Sequence, residues 1–126
     1  MANPSAEGGT GAGTEVLRRF WLRNFNGTAN NLLINGVADH LYTVLSITWH
    51  NLESSALGIN LYIYPEAASG SQIHVLQQSS TVLPARGTFV FNDKLVLAGT
   101  DELYTNTASA TTGCDAWVSY IDQQFA

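Results

Sequence analysis

Two stretches of this chain alternate with a period of two. In residues 40–50, Leu41, Thr43, Leu45, Ile47 and Trp49 fall on one side, and Tyr42, Val44, Ser46, Thr48 and His50 on the other. Residues 57–64 repeat the pattern, with Leu57, Ile59, Leu61 and Ile63 opposite Gly58, Asn60, Tyr62 and Tyr64. Successive strand side chains point to opposite faces, so this pattern predicts two strands of a sheet with one buried face. Pro65 ends the second strand because it has no N–H to give to a ladder. The intervening Asn51-Leu52-Glu53-Ser54-Ser55 predicts a turn, and hence a hairpin. No stretch sustains the ~3.6-residue apolar period of a helix.

The remaining apolar runs are short and set off by turns. Residues 31–35 end at Asn35-Gly36, and residues 71–77 form another short run. Pro84-Ala85-Arg86-Gly87 leads into residues 88–91, and Asn92-Asp93-Lys94 into 95–97. Gly99-Thr100-Asp101-Glu102 leads into 103–105, and a Ser/Thr/Ala-rich stretch into 116–121. Residues 15–23 have apolar spacing that a strand or a short helix accommodates. Phe20, Trp21 and the Asn-Phe-Asn-Gly that follows favour a strand. The expectation is an all-β, antiparallel, jelly-roll-like β-sandwich of about eight strands over residues 15–126. Residues 1–14 are Gly, Ala, Ser and Thr with little apolar bulk, a flexible N-terminal arm by composition. Such an arm is either a plain tail or a segment that orders against a neighbouring subunit.

Length fits one domain, and 45% apolar residues provide for an ordinary core. Only 12% of residues are charged, about half the usual share. Such a surface is either covered by other protein or solvated by Ser, Thr, Asn and Gln. The net charge of −5 argues against a broad nucleic-acid surface, which needs clustered Lys and Arg. No apolar run approaches the ~18 residues of a membrane span, and the start of the chain lacks the basic and apolar regions of a signal peptide. Cys114 is alone, so it forms no internal disulfide, in keeping with a reducing cytosol. Asn26-Gly27-Thr28 matches a glycosylation sequon and is read as a turn.

Candidate chemistry is sparse. His40 and His50 stand at opposite ends of one strand, and no Cys or Glu lies at ligand spacing, so no metal site is expected. No Ser lies in a nucleophile elbow. Asp101 and Glu102 are adjacent and so point apart, as turn residues do. Cys114 has no basic neighbour to lower its pKa. The expectation is a protein without catalytic activity, cofactor or metal. Arg18, Arg19 and Arg23 are three of only five cationic residues. They make either a solvated strand edge or a patch that docks on an acidic partner. Tyr62, Tyr64 and Trp117 are partly buried sheet residues, interface anchors, or an aromatic platform for a glycan.

Pro84-Ala85-Arg86-Gly87, Leu95-Val96-Leu97 followed by Gly99 and Asp101, and the closing Ala116-Trp117-Val118-Ser119-Tyr120-Ile121 resemble virion accessory proteins of tailed bacteriophages. Ser46-Ile47-Thr48-Trp49-His50-Asn51 resembles the strand that ends in an Asn turn in such proteins. The likeness covers residues 40–122. Gly99-Thr100-Asp101 stands where the family more often has Gly-Asp, and Cys114 and Trp117 at the final strand are further departures. The resemblance implies a structural virion protein, made in the host cytoplasm, that clamps the head shell as a decoration or cement protein. Its partners would be the major capsid protein or neck and tail proteins, and it would be a homo-oligomer, with a trimer favoured. A neck or tail connector, or a fibre-attachment protein, is the alternative within the family.

Overall fold

A computed structural model describes residues 14–68, 70–108 and 113–124. Ten strands carry the fold: β1 (Thr14–Leu22), β2 (Asn31–Asn35), β3 (His40–Asn51), β4 (Leu57–Tyr64), β5 (Ile73–Leu76), β6 (Val82–Leu83), β7 (Thr88–Phe91), β8 (Leu95–Ala98), β9 (Glu102–Thr107) and β10 (Cys114–Gln124). They form two antiparallel sheets. One runs β1-β10-β3, with β7 and β8 sharing the last edge beside β3. The other runs β2-β9-β4, with β5 and β6 sharing the edge beside β4. Ten segments therefore fill eight ladder positions, the arrangement of a jelly roll. Residues 1–13 of the expected arm lie outside the described residues, and Thr14, assigned to the arm from sequence, opens β1.

The core lies between the sheets. Val44, Ile47 and Trp49 of β3, Ile59 and Leu61 of β4, Leu97, Leu103 and Val118 have almost no exposed surface. Burying a residue of this kind contributes roughly 1.5–3 kcal/mol. The indole Nε1 of Trp49 donates to Thr105 Oγ1 at 3.0 Å, and Thr105 Oγ1 donates to the Asn60 carbonyl at 2.8 Å. The polar end of the largest core side chain thus bridges to the facing sheet with its hydrogen bond made. No buried side-chain nitrogen or oxygen among the described residues lacks a partner.

Two sequence expectations need correction. The alternation of β3 does not hold as one phase. Ser46 pairs with Ser119 and Val44 with Tyr120, so Leu45 is an extra residue, a β-bulge. Before it Tyr42 and Val44 face the core, and after it Ile47 and Trp49 do, while Leu45 turns outward. The bulge sits where the partner edge passes from β8 (Leu95 opposite Val44) to β7 (Phe91 opposite Ile47). One unpaired residue shifts a period-two pattern by one face, which sequence alternation alone does not register.

Nor do β3 and β4 form a hairpin; they belong to different sheets. Asn51 directs the crossing. Its buried side chain donates Nδ2 to the Ser55 carbonyl at 2.8 Å and the Pro84 carbonyl at 3.1 Å, and its Oδ1 accepts the Glu53 N–H at 2.9 Å. An Asn that satisfies three backbone groups at a corner fixes the chain's exit across the sandwich. The other turns follow their residues. Gly36 donates its N–H to the Asp101 carbonyl, and a Cβ there would run into the Gly99 and Asp101 carbonyls. Gly99 has φ +58°, and Asp101 Oδ2 accepts the Ala98 N–H at 3.0 Å.

Candidate interaction site

The registers of the first sheet lay out its outer face row by row. Trp21 of β1 stands opposite Trp117 of β10, which stands opposite Thr48 of β3, which stands opposite Val90 of β7. A second row runs Leu17, Ile121, Thr43 and Val96. Leu45, turned out by the bulge, lies between them. Leu17 is 70% exposed, Trp21 52%, and Trp117 43%; Leu45, Val90 and Val96 are exposed as well. A scattered exposed Leu means little, but apolar residues along two rows of one sheet face form a patch.

The two indoles stack at 5.4 Å with their planes 14° apart. The Arg19 guanidinium lies 5.3 Å from the Trp21 ring centre and 5.5 Å from that of Trp117. Such cation–π contact is worth about 0.5–1 kcal/mol at an exposed site, and it holds both rings in one orientation. Beside them a cavity of ≈ 260 Å³ opens between Trp21, Trp117, Arg23, Thr48, His50 and Asp115. Asp115 Oδ1 accepts the Asn24 N–H at 2.8 Å, and His50 Nδ1 lies 2.8 Å from Thr88 Oγ1.

The outer face of the second sheet is built differently. Tyr62 and Tyr64 of β4 and Tyr104 of β9 pack on one another, with ring centres 5.8 Å apart for Tyr62–Tyr104 and 4.8 Å for Tyr64–Tyr104. His74 of β5 lies 5.7 Å from Tyr62. Asn30 accepts the Tyr62 hydroxyl at Oδ1 and donates Nδ2 to the Tyr64 hydroxyl at 3.3 Å. Asn106 donates to Tyr62 at 3.3 Å and accepts from Asn60 at 2.6 Å. Tyr62 is only 3% exposed, so the cluster's rings are spent on each other. Burial, and then the neighbouring Tyr64 and Tyr104, push the Tyr62 phenol up to about 12.

The six residues singled out from sequence fall in three places: Arg19, Arg23 and Trp117 together, Tyr62 with Tyr64, and Arg18 apart. Tyr62 and Tyr64 belong to the second sheet and Trp117 to the outer face of the first. Arg18 and Arg19 point to opposite faces of β1. The Arg18 Nε donates to Asp122 Oδ2 at 2.8 Å, and Asp122 Oδ1 lies 2.6 Å from His40 Nδ1. Asp122 is nearly buried, so this trio ties β1, β10 and β3 together. Arg19 covers the indoles, and Arg23 lines the cavity.

Among the described residues, no group of three or more His, Cys, Asp and Glu is placed to hold a metal. The Cys114 thiol is buried, and its pKa is pushed up to about 12 by that burial and by Asp115. A thiol held protonated is a poor nucleophile. Sequence inspection passed over Trp21, Leu17, Leu45, Val90 and Val96. One signal was available: β1 carries large apolar residues on both of its faces, Leu17 and Trp21 on one and Val16, Phe20 and Leu22 on the other. Large apolar residues on both faces of one strand, here interrupted only by Glu15, Arg18 and Arg19, are more than a strand with one buried face needs.

No family model and no curated protein matches the sequence. Among solved structures, the chain is similar to one described as "Bacillus endospore appendages form a novel family of disulfide-linked pili". That likeness covers 94% of this chain and 93% of the other, with a TM-score of 0.53 at 8% identity, and it extends to the fold alone. A chain of infectious bursal disease virus, Gx strain, matches over 87% of this chain and 33% of its own length. Its TM-score is 0.47 at 12% identity, too distant to carry an argument.

Proposed function

We propose that this protein is a structural, non-enzymatic component of a tailed-phage particle that attaches to the head shell as a decoration or cement protein. The observation that carries the reading is the outer face of the first sheet, with its two apolar rows and the Trp21–Trp117 pair under Arg19. Stacked aromatics capped by Arg are what protein interfaces select at their centres. A small domain bridging neighbouring shell subunits adds buried interface, and binding the assembled state shifts the equilibrium toward it. The scarcity of charge, 12% of residues, fits a surface largely covered by neighbours. The jelly-roll fold is shared with a pilus protein, and the likeness in the turns to virion accessory proteins points the same way.

The test is immunogold labelling of purified particles, with wild type and a Trp21→Ala, Trp117→Ala double variant. Label over the whole head, lost in the folded variant, is the expected result. Label confined to one vertex would move the protein to the neck or tail. Absence from the particle would sink the reading.

A glycan-binding module is the second reading, favoured by the cavity beside Trp117. Its indole wall meets polar groups of His50, Asp115, Arg23 and Thr48, which is the mixed lining small ligands use. A sugar titration that left Trp fluorescence unchanged would remove it.

A further inference from the structure

The edges of the sandwich are not equivalent. β2 is five residues long and its register slips between Leu32 and Ile34. β5 has four residues and a slip, and β6 has two. β7 and β8 have four residues each and are split by Asn92-Asp93-Lys94. Short, bulged or interrupted edges are how sheets avoid pairing with other chains. β1 has none of these features. It runs nine residues without Gly or Pro, in unbroken register with β10, and its other side pairs with no described strand. Every residue from Leu17 to Trp21 is exposed. An inward-facing charge can guard an edge, but the inward charge here, Arg18, is already matched by Asp122 of the same chain.

We propose that β1 pairs antiparallel with β1 of a second copy of this chain, about a twofold axis at Leu17. Charge selects the register. With Leu17 opposite Leu17, Glu15 of each copy stands opposite Arg19 of the other, twice over, on the outer face. Thr14 then meets Phe20, and Val16 meets Arg18, on the inner face. Centring on Arg18 or Arg19 would set like charges directly opposite, which is destabilising. The pairing gives partners to the edge N–H and C=O groups that no described strand pairs, in both copies, and joins the two β1-containing sheets into one. It also makes the two apolar outer faces contiguous. The contact is isologous, so it closes as a dimer and leaves no further β1 edge. It rests on the edge alone and stands or falls apart from the particle reading.

The experiment is light scattering on the size-fractionated full chain, with charge reversals and a cross-link. Wild type is expected as a dimer. Glu15→Arg alone, or Arg19→Glu alone, shifts it to monomer. The double variant returns it to dimer, because the opposite charges again face each other. Leu17→Cys, which brings two thiols together on the axis, yields a covalent dimer on oxidation, while Val96→Cys on the far edge does not. Native Cys114 is buried and stays out of the reaction. A wild-type monomer or trimer overturns the proposal, as does a dimer that Leu17→Cys fails to cross-link. Rescue by the double variant separates a lost contact from a misfolded single variant.

Discussion

The two sheets of this sandwich turn opposite kinds of surface outward. On the second sheet, three tyrosines, a histidine and several asparagines form a closed set, with Tyr62 buried and its hydroxyl satisfied by Asn30 and Asn106. On the first sheet, Trp21, Trp117, Leu17, Leu45, Val90 and Val96 stand exposed, with Arg19 lying against the two indoles. Both faces are rich in aromatics, yet only one is left with unmet apolar area. Aromatic content therefore does not mark a binding face; the balance between ring contact within the chain and exposure does. Tyrosines that spend their area and hydroxyls on one another contribute to stability. Tryptophans held flat by Arg19 keep their area for a partner.

If that contrast is right, the largest effect comes from the second sheet. Tyr62→Ala should cost ~3–5 kcal/mol, the range for deleting a buried aromatic. Chemical denaturation measures it, and a cost below ~1 kcal/mol would mean that the cluster is open in solution.

Alkaline pH probes the same burial. The Cys114 and Tyr62 pKa values rise from 9.0 and 10.0 to about 12 in the fold. In this range the unfolded chain releases protons that the native chain retains, so stability falls as pH rises. It should be fully present below pH 9 and decline progressively toward pH 12. Tyr62→Phe should shallow the decline above pH 10. An unchanged slope in that variant would contradict a buried phenol. At neutral pH, Cys114 should react with a thiol reagent only as fast as the protein opens.

Asn30→Ala removes one partner from each of two tyrosine hydroxyls and should cost about 1 kcal/mol, since Asn106 still serves Tyr62. The smallest change is expected on the first sheet. Trp117→Ala should lower stability by about 0.5–1 kcal/mol, chiefly through the lost indole stack and Arg19 contact. A thermal melt reads this, and a loss as large as that of Tyr62→Ala would erase the distinction between the two faces.

Much of the architecture was legible in the chain. Period-two runs, Pro65, Asn35-Gly36 and the Pro84–Gly87 turn are local signals, and each acts through the backbone within a few residues. They sufficed for an all-β sandwich with no sustained helix, but counted about eight strands where the structure has ten. They did not find the two-residue β6, too short to show a pattern, nor the bulge at Leu45. The crossing at Asn51 was hidden because its hydrogen bond to the Pro84 carbonyl spans 33 residues of sequence.

The candidate face was less legible still. Trp117 stood out by type, but Tyr62 and Tyr64 stood out equally and prove to be buried. Residue type and local spacing come from the sequence itself: which residues make strands and where turns fall. Which aromatics cover each other is decided only when β4 meets β9 and β1 meets β10. Those contacts join segments about 40 and 100 residues apart, and burial is a property of such contacts rather than of any one segment.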